Sequence, residues 1–137
     1  MAYPSHNVDL FKRIARERLD DAGFLQKHGR GSAAVYLGGY VIECALKALI
    51  LAAVPRDREE EVMGTFRGPG GHKYDYLQHQ LLTAGGAPIP QNVRDDLVNV
   101  AGWQVARRYN PKKVAAKEAG DFLDSATRIL TWAEGRL

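Results

Sequence analysis

Val8, Phe11, Ala15, Leu19, Ala22 and Leu25 recur at steps of three and four residues. That spacing gathers side chains on one face of an α-helix, so it predicts an amphipathic helix over residues 7–28 with charges on the other face. His28-Gly29-Arg30-Gly31 supplies a glycine stop, and Ser32 is the expected N-cap of a second helix that runs to Val54, ahead of Pro55. This second segment, SAAVYLGGYVIECALKALILAAV, is apolar nearly all round and carries only two charges, Glu43 and Lys47. A helix without a polar face belongs at the centre of a fold. It is also long enough to span a membrane, but each mid-helix charge would cost about 2.5–3.5 kcal/mol there, which favours a buried core helix. Gly38-Gly39 lowers helix propensity by about 1 kcal/mol per glycine relative to alanine. Close backbone approach at a helix crossing or a dimer seam would offset that loss.

Residues 55–71, PRDREEEVMGTFRGPGG, predict a charged turn or short helical piece followed by a glycine-proline loop. A shorter helix over 72–84 should turn Tyr74, Leu77, Leu81 and Leu82 inward and stop at Gly85-Gly86. Pro88 and Pro90 open a fourth helix with Val93, Leu97, Val100 and Ala101 on one face, continuing through Trp103 towards Tyr109. Asn110-Pro111 has the form of an N-cap with proline at the first helical position. It predicts a last helix whose buried stripe is Val114, Phe122, Leu123, Ala126, Ile129, Leu130 and Ala133. Alternating strand patterns and internal repeats are absent from the sequence. The expected fold is all-α, an antiparallel up-and-down bundle of four to five helices in a single domain over residues 1–137.

With 137 residues, 45% hydrophobic and 26% charged, the chain can bury a core without metals or disulfides. The single cysteine, Cys44, excludes an intrachain disulfide and a thiolate-built metal centre, and fits a reducing cytoplasm. The opening MAYPSHNVDLFKR has no apolar run of the kind an export signal carries, so a cytoplasmic location is expected. The net charge of +3 is mildly basic. It is compatible with nucleotide or nucleic-acid partners without requiring them. Basic residues crowd Lys12–Arg18, Arg56–Arg67 and Arg107–Lys113.

Three groupings could carry chemistry. Glu43 and Lys47 are four apart with the acid first, so they can pair on one helix face, either as a structural ion pair or lining a polar cleft. Trp103, Arg107, Arg108, Tyr109, Lys112 and Lys113 set cations and aromatics around a predicted helix start, where phosphate is favoured; a solvated basic turn with packed aromatics is the alternative. His72, Asp75 and His79 could share one helix side, but with one carboxylate and no further ligand in view no metal site is expected. Nucleophile elbows and Walker-type loops are absent, and RGPGGHK follows no strand. No cofactor is expected.

The string YLGGYVIECALKALI, residues 36–50, closely resembles the second helix of prokaryotic HEPN domains, with an aromatic, a small-residue turn, Glu and Leu-Lys in that order. The Leu19-Asp20-Asp21-Ala22 pattern, His72 ahead of a leucine-bearing short helix, and Trp103 to Arg108-Tyr109 resemble the same family, so the likeness spans roughly residues 8–130. It implies an up-and-down helical bundle, often dimeric, that serves as a ribonuclease toxin or as the partner of a small nucleotidyltransferase. The ribonuclease branch carries an Arg followed after a short gap by a His. Arg67 and His72 match that pairing here, although they flank a glycine-proline loop and Gly68 stands where the branch carries a polar residue.

The expectation is therefore a noncatalytic HEPN-type module that binds a nucleotide or polyphosphate, or docks a separately encoded nucleotidyltransferase. Tyr40, Glu43, Lys47, His72, Trp103, Arg107, Arg108 and Tyr109 are its expected cleft residues. The alternatives are a metal-independent, toxin-like ribonuclease using Arg67 and His72, and a purely structural dimerisation module. A homodimer is expected, nucleotide or RNA is the expected ligand, and no membrane partner is expected.

Overall fold

Hydrophobic periodicity translates directly into helices. A computed structural model of the chain describes residues 5–68, 70–86, 88–107 and 114–137, with backbone only for 103–107. The order is α1 (His6–Lys27), α2 (Gly31–Ala53), a 3-10 turn (Arg56–Arg58), α3 (Glu59–Thr65), α4 (Tyr74–Thr83), α5 (Gln91–Arg107) and α6 (Ala116–Glu134). All regular structure among the described residues is helical.

Ser5 caps α1, its Oγ accepting from the Val8 amide at 3.0 Å. The helix ends in a Schellman motif: the Arg30 amide donates to the Leu25 carbonyl at 2.9 Å and the Gly29 amide to the Gln26 carbonyl at 3.2 Å. Gly29 supplies the left-handed φ of +74° that the motif requires. The same motif closes α4, with Gly85 at φ +78°. Ser32 lies inside α2 rather than capping it, because the helix already begins at Gly31. Its hydroxyl instead accepts from the Val114 amide at 3.2 Å, tying the start of α2 to the approach of α6.

The most extensive pairing is α1 on α2, and α2 also packs against α6 and α4. The consecutive pairs α1–α2 and α5–α6 run antiparallel, as expected. Gln26, late in α1, lies beside Gly120 near the start of α6, while Arg16 pairs with Glu134 at its end, so these two helices are also antiparallel. By contrast α2 and α6 run in the same direction, since Gly31 meets Ala119 and Gly38 meets Phe122 and Leu123. A β-carbon on Gly38 would come within 2.9 Å of both Phe122 Cε1 and Leu123 Cδ2. Half of the glycine pair is thus explained by a helix crossing within the chain.

From Val41 to Leu51 every residue of α2 is buried, which places the apolar helix at the centre as its composition predicts. Although α2 has the length and hydropathy of a membrane span, its apolar surface is covered here by α1, α4 and α6. Two boundaries depart from expectation. Leu82 is 62% exposed because Leu77 and Leu81 define the buried stripe of α4, and the next residue turns about 100° away. Val114 and Ala115 are extended and α6 begins only at Ala116, beyond the expected start at Pro111; residues 110–113 lie outside the described residues. On α6, Phe122, Leu123, Ala126, Ile129, Leu130 and Ala133 are all buried.

Candidate functional site

Tyr36, Tyr40, Glu43 and Lys47 follow one another at four-, three- and four-residue steps, so they form one stripe along α2. The stripe descends from solvent into the core. Tyr36 and Tyr40 are 64% and 38% exposed, whereas Glu43 and Lys47 are 8% and 5% exposed.

At the buried end, Lys47 Nζ donates to Glu43 Oε2 at 3.0 Å. The ammonium also lies 5.3 Å from the ring centroid of Phe66 and 5.9 Å from that of Phe11. These two rings meet edge to face at 6.0 Å. Lys47 is therefore enclosed by one carboxylate and two aromatic faces, which together replace its water. Both side chains are buried, which fits the structural ion pair, one of the two readings open for them.

Glu43 has a second partner. His72 Nδ1 lies 3.0 Å from the same Oε2. An ionised carboxylate only accepts hydrogen bonds, so Nδ1 must carry the proton. The His72 side chain is 65% exposed, and its Nε2 has no hydrogen-bond partner among the described residues. Tight turns position it: the Gly71 amide donates to the Gly68 carbonyl at 3.0 Å, and the Lys73 amide to the Gly70 carbonyl at 3.1 Å. A β-carbon on Gly71 would fall 2.0 Å from the Phe66 carbonyl oxygen, so this approach admits only glycine. Just beyond, Tyr74 donates its buried hydroxyl to the Gly39 carbonyl at 3.1 Å, fastening the start of α4 to α2.

At the exposed end, the Tyr36 and Tyr40 hydroxyls are 3.1 Å apart and their rings meet edge to face at 5.4 Å. The Tyr40 phenol is pushed above its ordinary pKa, first by the hydrogen bond to Tyr36, then by partial burial and by the charges nearby, including that of Glu43. Burial, reinforced by Glu43, raises the Cys44 thiol to about 11, so it stays protonated and is no nucleophile.

The stripe thus unites three expected site residues, Glu43, Lys47 and Tyr40, with His72 delivered from the loop. Arg67 is exposed; its amide donates to the Gly64 carbonyl at 3.3 Å, and its side chain makes no hydrogen bond or ion pair with another described residue. Trp103 and Arg107 belong to the backbone of α5, their side chains outside the described set, and Arg108, Tyr109, Lys112 and Lys113 lie outside the described residues. His72 precedes α4 rather than opening it, and Asp75 and His79 are exposed. Among the described residues no three His, Cys, Asp or Glu side chains gather as a metal would need.

Sequence spacing could have found Tyr36, four residues before Tyr40, but gave no sign of the Phe11 and Phe66 enclosure, which requires three elements to meet. A hollow of about 530 Å³ between α5 and α6 is bordered, among the described residues, by Asn99, Glu118, Asp121, Asp124 and Arg128.

A family model described as HEPN domain matches residues 8–136. No curated protein and no solved structure matches the chain.

Proposed function

The chain belongs to the HEPN domain family, and on that premise we propose that it is a noncatalytic module that binds a nucleotide. The observation that carries this reading is the placement of the His72 imidazole, held at the surface by buried Glu43, on the same face of α2 as the exposed Tyr36–Tyr40 pair. Phenol rings offer stacking surface to a base, which is worth about 1–3 kcal/mol per base in single-strand binders, and a fixed imidazole adds directional hydrogen bonding. Exposed Arg67 and Lys73 flank His72 in the chain and supply positive charge for a phosphate. A separately encoded small nucleotidyltransferase is the protein partner consistent with this role.

Thermal melts with and without ATP, GTP and an unstructured RNA test the proposal. A ligand that binds only the folded state stabilises it by about 2.7 kcal/mol at a hundredfold excess over Kd. A rise in Tm with nucleotide that disappears in His72→Ala and Tyr40→Ala supports the assignment. Unchanged melts with all three ligands would reject it in favour of protein docking.

One observation favours a second reading, a metal-independent ribonuclease. A carboxylate orienting an imidazole is the arrangement of a general base, and Arg67 is the cation that would stabilise the phosphorane. Against it, the charge of Glu43 is already paired with Lys47, and the Arg67 side chain is held by no partner among the described residues. Positioning supplies much of such catalysis. RNA cleavage leaving cyclic phosphate ends, abolished in a folded His72→Ala protein, would establish this second reading.

A further inference from the structure

Glu43 Oε2 receives two donors at 3.0 Å, Lys47 Nζ from within the core and His72 Nδ1 from the surface. Because both donors meet the same carboxylate oxygen, the carboxylate dictates which ring nitrogen carries the proton. In its neutral form His72 therefore exposes a lone pair on Nε2. The remaining polar groups on this face of α2, the Tyr36 and Tyr40 hydroxyls, are uncharged as well.

We infer that Glu43 and Lys47 are positioning residues that lock His72 in the Nδ1–H tautomer, and that its Nε2 accepts a hydrogen bond from an uncharged donor of the ligand, a base amino group or a ribose hydroxyl. This deepens the nucleotide reading and rests on it. The recognition belongs to the nucleoside part, because a phosphate oxygen and an Nε2 lone pair are both acceptors and repel. Phosphate contacts would fall to the cationic residues of the loop and contribute attraction without selecting the ligand. Fixing the tautomer matters because a free imidazole exchanges between its two forms and would present a donor part of the time.

The experiment joins ¹⁵N spectroscopy of the histidines with calorimetry at mildly alkaline pH, where an imidazole is neutral. The His72 signals, assigned by their loss in His72→Gln, should show a protonated Nδ1 and an unprotonated Nε2. Glu43→Leu combined with Lys47→Met removes both charges at once and should abolish that signature; should the double variant not fold, the wild-type tautomer together with adenosine binding by His72→Ala, which leaves the buried pair in place, carries the test. A merely structural pair would change Tm without moving the tautomer. Adenosine should bind the wild-type protein and bind the variants about tenfold more weakly, the loss of one oriented hydrogen bond. Inorganic triphosphate should not bind. An Nε2–H tautomer in the wild type overturns the inference, as does binding of triphosphate and ATP without adenosine, an outcome that leaves the nucleotide reading standing. Failure of ATP, GTP and adenosine alike overturns both.

Discussion

Asp96 on α5 accepts from both Nε and Nη2 of Arg128 on α6, each at 2.9 Å, and its Oδ1 accepts from Ser125 Oγ at the same distance. The carboxylate is 5% exposed and the fork-to-fork pairing satisfies it on both oxygens, which makes it the polar tie between α5 and α6. The guanidinium holds Asp96 below the usual carboxylate range. A group whose folded-state pKa is depressed contributes stability that is complete above its unfolded pKa of about 3.9 and is lost as pH falls through the lower folded value. Asp96→Asn should therefore cost about 1–2 kcal/mol near neutrality, a figure kept low because the Arg128 side chain is 56% exposed and solvent-screened. The difference from wild type should shrink as the pH is taken from neutrality to well below the ordinary carboxylate pKa of about 3.9. Urea unfolding at both pH values measures it; a constant difference would mean that the ion pair is not its source.

The enclosed Lys47 predicts strong nonadditivity. Removing either partner of a buried pair leaves a bare charge and costs about 3–5 kcal/mol, whereas replacing both by apolar residues of similar volume is near neutral. Lys47→Met and Glu43→Leu should each destabilise by that amount, and the double variant by much less, because the methionine would pack against Phe11 and Phe66. A double-mutant cycle in urea reads the coupling. Additive losses would place the two side chains in independent environments.

Helix capping separates two serines. Ser5→Ala removes the acceptor for the Val8 amide and should cost about 1 kcal/mol. Ser32→Ala should leave the start of α2 intact, since its hydroxyl bonds the Val114 amide and not an amide of its own helix, with an effect under about 0.5 kcal/mol. Equal losses in thermal melts would contradict this division.

Periodicity made most of the fold legible. The buried stripes of α1 and α6 and the central position of α2 follow from three- and four-residue spacing, a local property. Boundaries were less legible: Ser32 has the chemistry of an N-cap, but the chain enters α2 one residue earlier and its hydroxyl serves another segment. The site was half legible. Glu43 and Lys47 pair through a spacing visible in one helix, and His72 was identifiable by type. That His72 bonds Glu43, 29 residues away, and that Phe66 covers Lys47, are tertiary facts that no local pattern encodes. Reading Glu43 and Lys47 as cleft residues followed from the expense of burying charge. The structure meets that expense with mutual pairing and two aromatic faces, while the exposed polar groups of the same stripe lie further along the helix, at Tyr36 and Tyr40.

Gly38 and Gly23 provide a final contrast, since both lie inside long helices and differ only in what surrounds them. Alanine normally stabilises a helix interior by about 1 kcal/mol over glycine, through backbone entropy. At Gly23 on α1 a β-carbon would meet nothing within 4 Å, so Gly23→Ala should raise stability by about that amount. At Gly38 the new atom would lie 2.9 Å from Leu123 Cδ2 and Phe122 Cε1, tips of side chains that are themselves 6% and 4% exposed and confined by the core. Overpacking of this kind costs about 1–3 kcal/mol and exceeds the propensity gain, so Gly38→Ala should be net destabilising by about 1 kcal/mol. Trimming the obstruction reverses the sign. In a Leu123→Ala background, already weakened by its own cavity, Gly38→Ala should become less harmful or favourable, because the added methyl has room and partly fills the space. Urea denaturation of the four proteins in that cycle, with Gly23→Ala as the unobstructed control, measures the coupling. If Gly38→Ala is equally costly with and without Leu123, the glycine is required for something other than the crossing of α2 and α6.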